Sequence, residues 1–126
     1  MSYDKFIEEF IEQYGDFFTE AVTMFFLKAI ELAEDEKYED AIKLGRQALN
    51  LAKYSHLDSE RVYLLGMLSQ AYLDNEEPEM ADKFFTHGIK LLDKNDEDYE
   101  SDVDRFLDIK IIIDKELKKK GVQNEF

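Results

Sequence analysis

Only two histidines, His56 and His87, are available for acid-base or metal chemistry, and neither has a glutamate three residues before it. The Glu-x-x-His pairs with which helical bundles hold two metal ions are therefore missing. Cysteine is absent, which excludes disulfides and thiolate chemistry and fits a reducing compartment. With 5 glycines in 126 residues, no phosphate-cradling loop, zinc pattern or nucleophile elbow can be written. One acidic run, Asp93-Lys94-Asn95-Asp96-Glu97-Asp98-Tyr99-Glu100-Ser101-Asp102-Val103-Asp104, places oxygen ligands at alternate positions as a calcium loop does. It fails where that loop is strictest: Asp98 occupies the sharp-turn site that demands glycine, and Asp104 replaces the terminal glutamate. The run reads instead as a solvated turn whose acids favour the N-terminus of the next helix. No enzyme, no cofactor and no metal are expected, and both histidines are expected to be surface or partly buried fillers.

Residues that do no chemistry still have to be positioned, and composition points to helices. Hydrophobic residues make up 44% and charged ones 37% of the chain, with 1 proline. That is the profile of an all-helical soluble domain with few irregular segments, and 126 residues suffice to bury roughly two thirds of the unfolded surface without a staple. The net charge of −14, from 30 acidic and 16 basic residues, argues against direct nucleic-acid binding and against anionic membrane surfaces, since both need clustered lysine and arginine. No apolar run approaches a membrane span, and Asp4, Glu8 and Glu9 stand where a signal peptide would be basic and then apolar. A cytoplasmic protein is expected.

Periodicity predicts about six antiparallel helices. Phe6, Ile7, Phe10, Ile11 and Tyr14 make an apolar stripe over about residues 3–14, with a break at Gly15-Asp16 and a cap from Asp16 or Thr19. The second helix, about 19–34, is apolar almost all round and is expected to be contacted on several sides. Others follow at about 38–54, at 59–73 with Asp58 or Ser59 as N-cap, at 78–92 with Pro78 in its first turn, and at 99–119, stopped by Gly121. The chain divides accordingly into an N-terminal capping helix within 1–18, two helical hairpins over 19–93, a C-terminal capping helix over 97–120 and a frayed tail, 121–126.

The stretch Val22–Asp93 is one helix-turn-helix unit written twice, with an offset of 40 residues that puts Ala41 on Ala81, Ala29 on Ser69, Ala48 on Gly88, Leu32 on Tyr72 and Leu51 on Leu91. Small residues at the crossings with large apolar ones between them suit a stacked helical repeat. Tyr38-x-x-Ala41-Ile42-x-x-Gly45-x-x-Ala48-Leu49-x-Leu51, and again Ala81-x-x-x-Phe85-x-x-Gly88-Ile89-x-Leu91, resembles the second helix of a tetratricopeptide repeat (TPR). The long spacing is similar to the lengthened repeats of kinesin light chains and Rap-type regulators. The resemblance covers about 72 of the 126 residues. It departs from the family at Gly45, which stands in place of an aromatic, at Lys28 in place of leucine and at Pro78 in place of tyrosine. The alternative is an antiparallel bundle whose small residues recur by accident.

The resemblance implies a right-handed stack in which the first helix of each unit lines a concave groove. The matching positions are Thr23, Phe26, Ile30 and Ala33, then Tyr63, Gly66, Gln70 and Leu73; a further step of 40 gives Val103, Phe106, Lys110 and Ile113. Family members that grip a C-terminal carboxylate carry Lys and Asn where this chain has Phe26 and Ile30, and Asn where it has Met67, so chaperone-tail binding is not implied. A non-enzymatic scaffold or adaptor is expected, binding a helix or apolar peptide of another protein, with Gly66 allowing close approach. Two alternatives stay open: the chain's own Phe6, Phe10 and Tyr14 fill the groove, or the chain as a whole acts as an acidic nucleic-acid-mimic type inhibitor or regulator that occupies a basic site on a partner. Ile109, Ile111, Ile112 and Ile113 cannot all face one neighbour, so the chain is expected to be a monomer or a weak homodimer through its C-terminal helix.

Overall fold

The computed structural model describes residues 3–124, with side chains at 5, 8, 9 and 12–121. Five helices and no strand occur among them: α1 Tyr3–Glu34, α2 Tyr38–Tyr54, α3 Asp58–Asp74, α4 Pro78–Leu91 and α5 Tyr99–Asn124. Each helix packs on the next, and α3 also touches both α1 and α5. The chain therefore zigzags between two layers, with α1, α3 and α5 in one and α2 and α4 in the other.

Two expected stops do not stop anything. The helix expected to break at Gly15-Asp16 runs unbroken as α1, and α5 passes through Gly121 to Asn124. Glycine ends a helix by adopting positive φ, and none of the described glycines does so. In a helical conformation it costs only about 1 kcal/mol relative to alanine, and the stripe through Tyr14, Phe18, Ala21 and Val22 keeps its phase across Gly15. Thr19 caps nothing; its Oγ1 donates to the Gly15 carbonyl at 3.2 Å, a back-bond within one helix. The two helices predicted before Glu34 are one, which gives five helices in place of six.

The stops that do operate carry no glycine. Glu36, His56 and Glu76 have φ of 62°, 57° and 62°, and each closes the same turn. The Glu36 amide donates to the Ala33 carbonyl and Lys37 to Leu32; His56 donates to Lys53 and Leu57 to Ala52; Glu76 donates to Leu73 and Glu77 to Tyr72. This is the Schellman arrangement, which satisfies the last carbonyls of a helix by one left-handed residue. The following helices begin without side-chain caps: Leu57 holds the N-cap position of α3, so Asp58 lies inside the first turn, where it pairs with Arg61 at 3.2 Å.

The helix contacted on several sides is α3, which buries Val62, Leu64, Leu65, Leu68, Ala71 and Tyr72. The second half of α1 was expected in that role, yet Met24 is 69% and Leu27 58% exposed. Apolar residues all round a helix are necessary for burial on all sides; the number of neighbours decides whether it happens. The small residues do sit at close crossings. Ala29, Ala41, Ala48, Ala52 and Ala81 are fully buried, and Ser69 donates to the Ala81 carbonyl at 2.8 Å across the α3–α4 contact. Phe106 of α5 lies against Gly88 of α4, where a Cβ would collide with its ring.

Candidate functional site

A groove of about 510 Å³ runs between α1, α3 and α5, over the surface of α3. One wall is Phe26, Ile30 and Ala33 of α1, and the floor is Tyr63, Gly66, Met67, Gln70 and Ala71 of α3. These positions recur at three- and four-residue steps, which is why one helical face brings them together. The other wall is Arg105, Asp108 and Ile109 of α5, and the carboxylates of Glu34 and Asp74 stand at the rim.

Of the residues predicted for such a groove, Phe26, Ile30, Ala33, Tyr63, Gly66 and Gln70 line it. Thr23 does not; its hydroxyl donates to the Thr19 carbonyl at 2.9 Å along α1. Leu73 turns to the core cluster around Ile42 and Leu68. The α5 set is rotated away altogether. Phe106 and Ile113 are buried, Val103 is half-buried without lining the groove, and Lys110 faces α4, 3.7 Å from Asp82 and 3.0 Å from Asp114. The reason is the connection. The earlier helices are joined by three-residue turns of one conformation, whereas α5 is entered through residues 92–98 after Leu92 ends α4 in an extended conformation. Arg105 and Ile109, which α5 does bring to the groove, lie 39 residues past Gly66 and Gln70, one short of the expected step of 40, and one residue is about 100° of helix.

Residues 92–98 are held by their own acids. The Asp93 carboxylate accepts the Asn95 amide at 2.9 Å and that of Asp96 the Asp98 amide at 2.8 Å, while Asp96 also accepts the Ser59 hydroxyl at the start of α3. The Ser59 bond, seconded by the Asp98 amide, holds the Asp96 carboxyl below its ordinary pKa. Of the positions weighed above as calcium ligands, Asp93 accordingly accepts a backbone N–H within the connection.

The electrostatic centre of the groove is Arg105, a residue the repeat arithmetic passed over. Its guanidinium lies 4.1 Å from the centroid of the Tyr63 ring, and Tyr63 meets Phe26 edge to face with centroids 4.8 Å apart. Gly66 was expected to admit a ligand's backbone; instead a Cβ there would come within 2.9 Å of Arg105 Nη2, so the glycine makes room for the arginine. Arg105 Nη2 is 3.5 Å from Asp102. Burial pushes the Asp102 carboxyl above its ordinary pKa, against the opposing pull of Arg105. Arg105 Nε is buried with no acceptor. The Phe6 and Phe10 side chains, considered as a filling for the groove, lie outside the described residues; α1 itself does not turn back at Gly15. No group of three or more metal-ligating side chains occurs among the described residues, and no described helix is long and apolar enough to cross a membrane.

No protein-family model, curated protein or solved structure matches this chain.

Proposed function

We propose that the chain is a TPR-like protein-interaction module that holds an amphipathic helix or extended apolar segment of another protein in the α1–α3–α5 groove. The observation that carries this is the groove itself: an aromatic and aliphatic floor with three carboxylates, Glu34, Asp74 and Asp108, beside it. Apolar anchors of a bound segment would cover Phe26, Tyr63 and Met67, and basic residues flanking them would meet the acids. The zigzag of α1 to α5, with α3 touching α1 and α5, supports the repeat assignment. The aromatic pair makes a preformed surface, since Arg105 fixes the Tyr63 ring before any partner arrives, reducing the entropy lost on binding.

The test is selection of binders from a displayed library of helical and extended peptides, followed by affinity measurements on variants. Selected peptides should carry apolar residues at i, i+3 or i+4 and i+7 with lysine or arginine beside them. Tyr63→Ala should weaken them by roughly tenfold or more, as loss of an aromatic anchor does, while the melting curve stays close to that of the parent, because Tyr63 is 47% exposed. Binding should change little between low and moderate salt if apolar burial dominates, whereas a charge mimic would release its partner steeply. Selected peptides that bind Tyr63→Ala and Ile30→Glu as well as the parent would remove the groove assignment. Phe106→Ala is no test of the groove, since that ring is 0% exposed and its loss would damage the fold.

A further inference from the structure

On the other side of α3, a second cavity of about 440 Å³ lies between α2 and α4. Although acids outnumber bases 30 to 16 in the chain, this cavity is lined by Arg46, Lys53, Arg61, Lys83, His87 and Lys90 and by no carboxylate. The clustering is built into the helices. Arg46, Asn50 and Lys53 on α2, and Lys83, His87 and Lys90 on α4, share the same spacing of four then three residues, so each helix turns one polar and basic stripe to the gap.

The lysine charges are unspent. Among the described residues Lys53, Lys83, His87 and Lys90 make no ion pair. Arg61 Nη1 is held 3.2 Å from Asp58, and its Nε is buried with no acceptor. A buried donor left unpaired is unfavourable and uncommon. Arg46 is fixed at the edge, 5.8 Å from the centroid of the Phe84 ring and 3.4 Å from the Tyr72 hydroxyl. Beneath the cations the lining is apolar, from Leu49, Leu65, Phe84 and Leu91.

We propose that the α2–α4 gap binds a small organic anion carrying two or more phosphate charges. Its phosphates meet Lys53, Lys83, Lys90 and Arg61, and its apolar or aromatic body lies on Leu49, Leu65 and Leu91. Several cations around one gap, two of them forked guanidiniums, suit a ligand with many acceptor oxygens. The volume falls in the range of small-molecule sites. A small ligand is favoured over a long polyanion by the surrounding charge. At physiological salt, fields decay over about 8 Å, so an anion inside the gap senses the cations around it, whereas a nucleic acid or acidic peptide would extend onto the acidic remainder of a chain of net charge −14.

The test is calorimetric titration with ADP and with pyrophosphate at about 0.15 M salt, beside a glutamate-rich peptide and a single-stranded oligonucleotide. ADP should bind, pyrophosphate more weakly because it leaves the apolar floor uncovered, and the two polymers more weakly than ADP. The double variant Lys83→Gln, Lys90→Gln changes two exposed side chains, so it should melt like the parent and lose roughly tenfold or more in ADP affinity. In the parent the His87 ring signals should shift on adding ADP. Absence of binding by both ADP and pyrophosphate overturns the site, as does ADP affinity unchanged in the double variant or His87 signals that stay in place. Pyrophosphate binding as tightly as ADP overturns the organic body, and tighter binding of either polymer overturns the small-ligand assignment.

Discussion

Three glycines show how one residue type acts in three ways. A Cβ at Gly88 would strike the ring of Phe106, which has nowhere to go because it is fully buried. Gly88→Ala is therefore expected to destabilise the fold by about 1–3 kcal/mol, the usual cost of overpacking. At Gly45 the same Cβ would meet the Met67 Cε at 2.9 Å and the Leu68 Cδ2 at 3.0 Å. The methionine end can yield, and alanine's helical preference offsets part of the strain, so Gly45→Ala should fall well short of Gly88→Ala. Nothing lies within 4 Å of a Cβ at Gly15, and Gly15→Ala should stabilise the chain by about 0.5–1 kcal/mol. Chemical denaturation of the three variants checks the order. A destabilising Gly15→Ala would mean that α1 needs a break there. Ala41→Leu and Ala81→Leu belong with Gly88→Ala, since both alanines are fully buried, while Glu39→Ala on an exposed face should be nearly silent.

At the scale of elements, the three turns at Glu36, His56 and Glu76 recur every 20 residues and make the backbone more regular than the side chains suggest. Each puts a residue with a Cβ into the left-handed region, at a cost of order 1 kcal/mol. Glu36→Gly and Glu76→Gly should each raise the melting temperature, glycine being the favoured residue at this position; a fall would show that the side chain has a use the backbone does not reveal. The connection 92–98 breaks this rhythm, and Asp96 ties it to Ser59 on α3. Because the Asp96 pKa in the fold is below its ordinary 3.8, its contribution is full above the unfolded value and is lost as pH falls through the lowered one. Asp96→Asn should melt lower than the parent at neutral pH, and the gap should close as pH drops below about 4. Asp102 has the opposite sign: burial raises its pKa, so folding is favoured when it is protonated, and Asp102→Asn should remove a loss of stability that the parent suffers as pH rises through the carboxylate range.

Across the whole molecule, charge is sorted by layer. The gap between α2 and α4 is lined by cations and no carboxylate, while the α1–α3–α5 groove carries Glu34, Asp74 and Asp108 around a single cation, Arg105. Apolar surface is sorted too. The expectation that the four neighbouring isoleucines of α5 cannot share one contact holds: Ile109 and Ile113 are buried, whereas Ile111 is 67% and Ile112 40% exposed. With the exposed Leu107 one turn before Ile111, this face is expected to give weak, concentration-dependent self-association. Light scattering at rising concentration should detect it, and Ile111→Glu should abolish it. A strict monomer at high concentration would remove the expectation.

Helix class, the small residues at the crossings and the α1 and α3 sides of the groove were legible in the sequence, because they follow from local periodicity in helices joined by three-residue turns of one conformation. Phe26, Ile30, Tyr63, Gly66 and Gln70 line the groove for that reason. What only the tertiary structure decided depends on quantities that periodicity does not encode. Whether Gly15 breaks α1 is decided by its φ, and which residues end helices by the left-handed conformations of Glu36, His56 and Glu76. The rotation of α5, which hides Phe106 and brings Arg105 over Tyr63, is set by the path of residues 92–98. The basic gap was invisible for a related reason: its cations are spread from Arg46 to Lys90 in a strongly acidic chain, and only the packing of α2 and α4 against α3 gathers them.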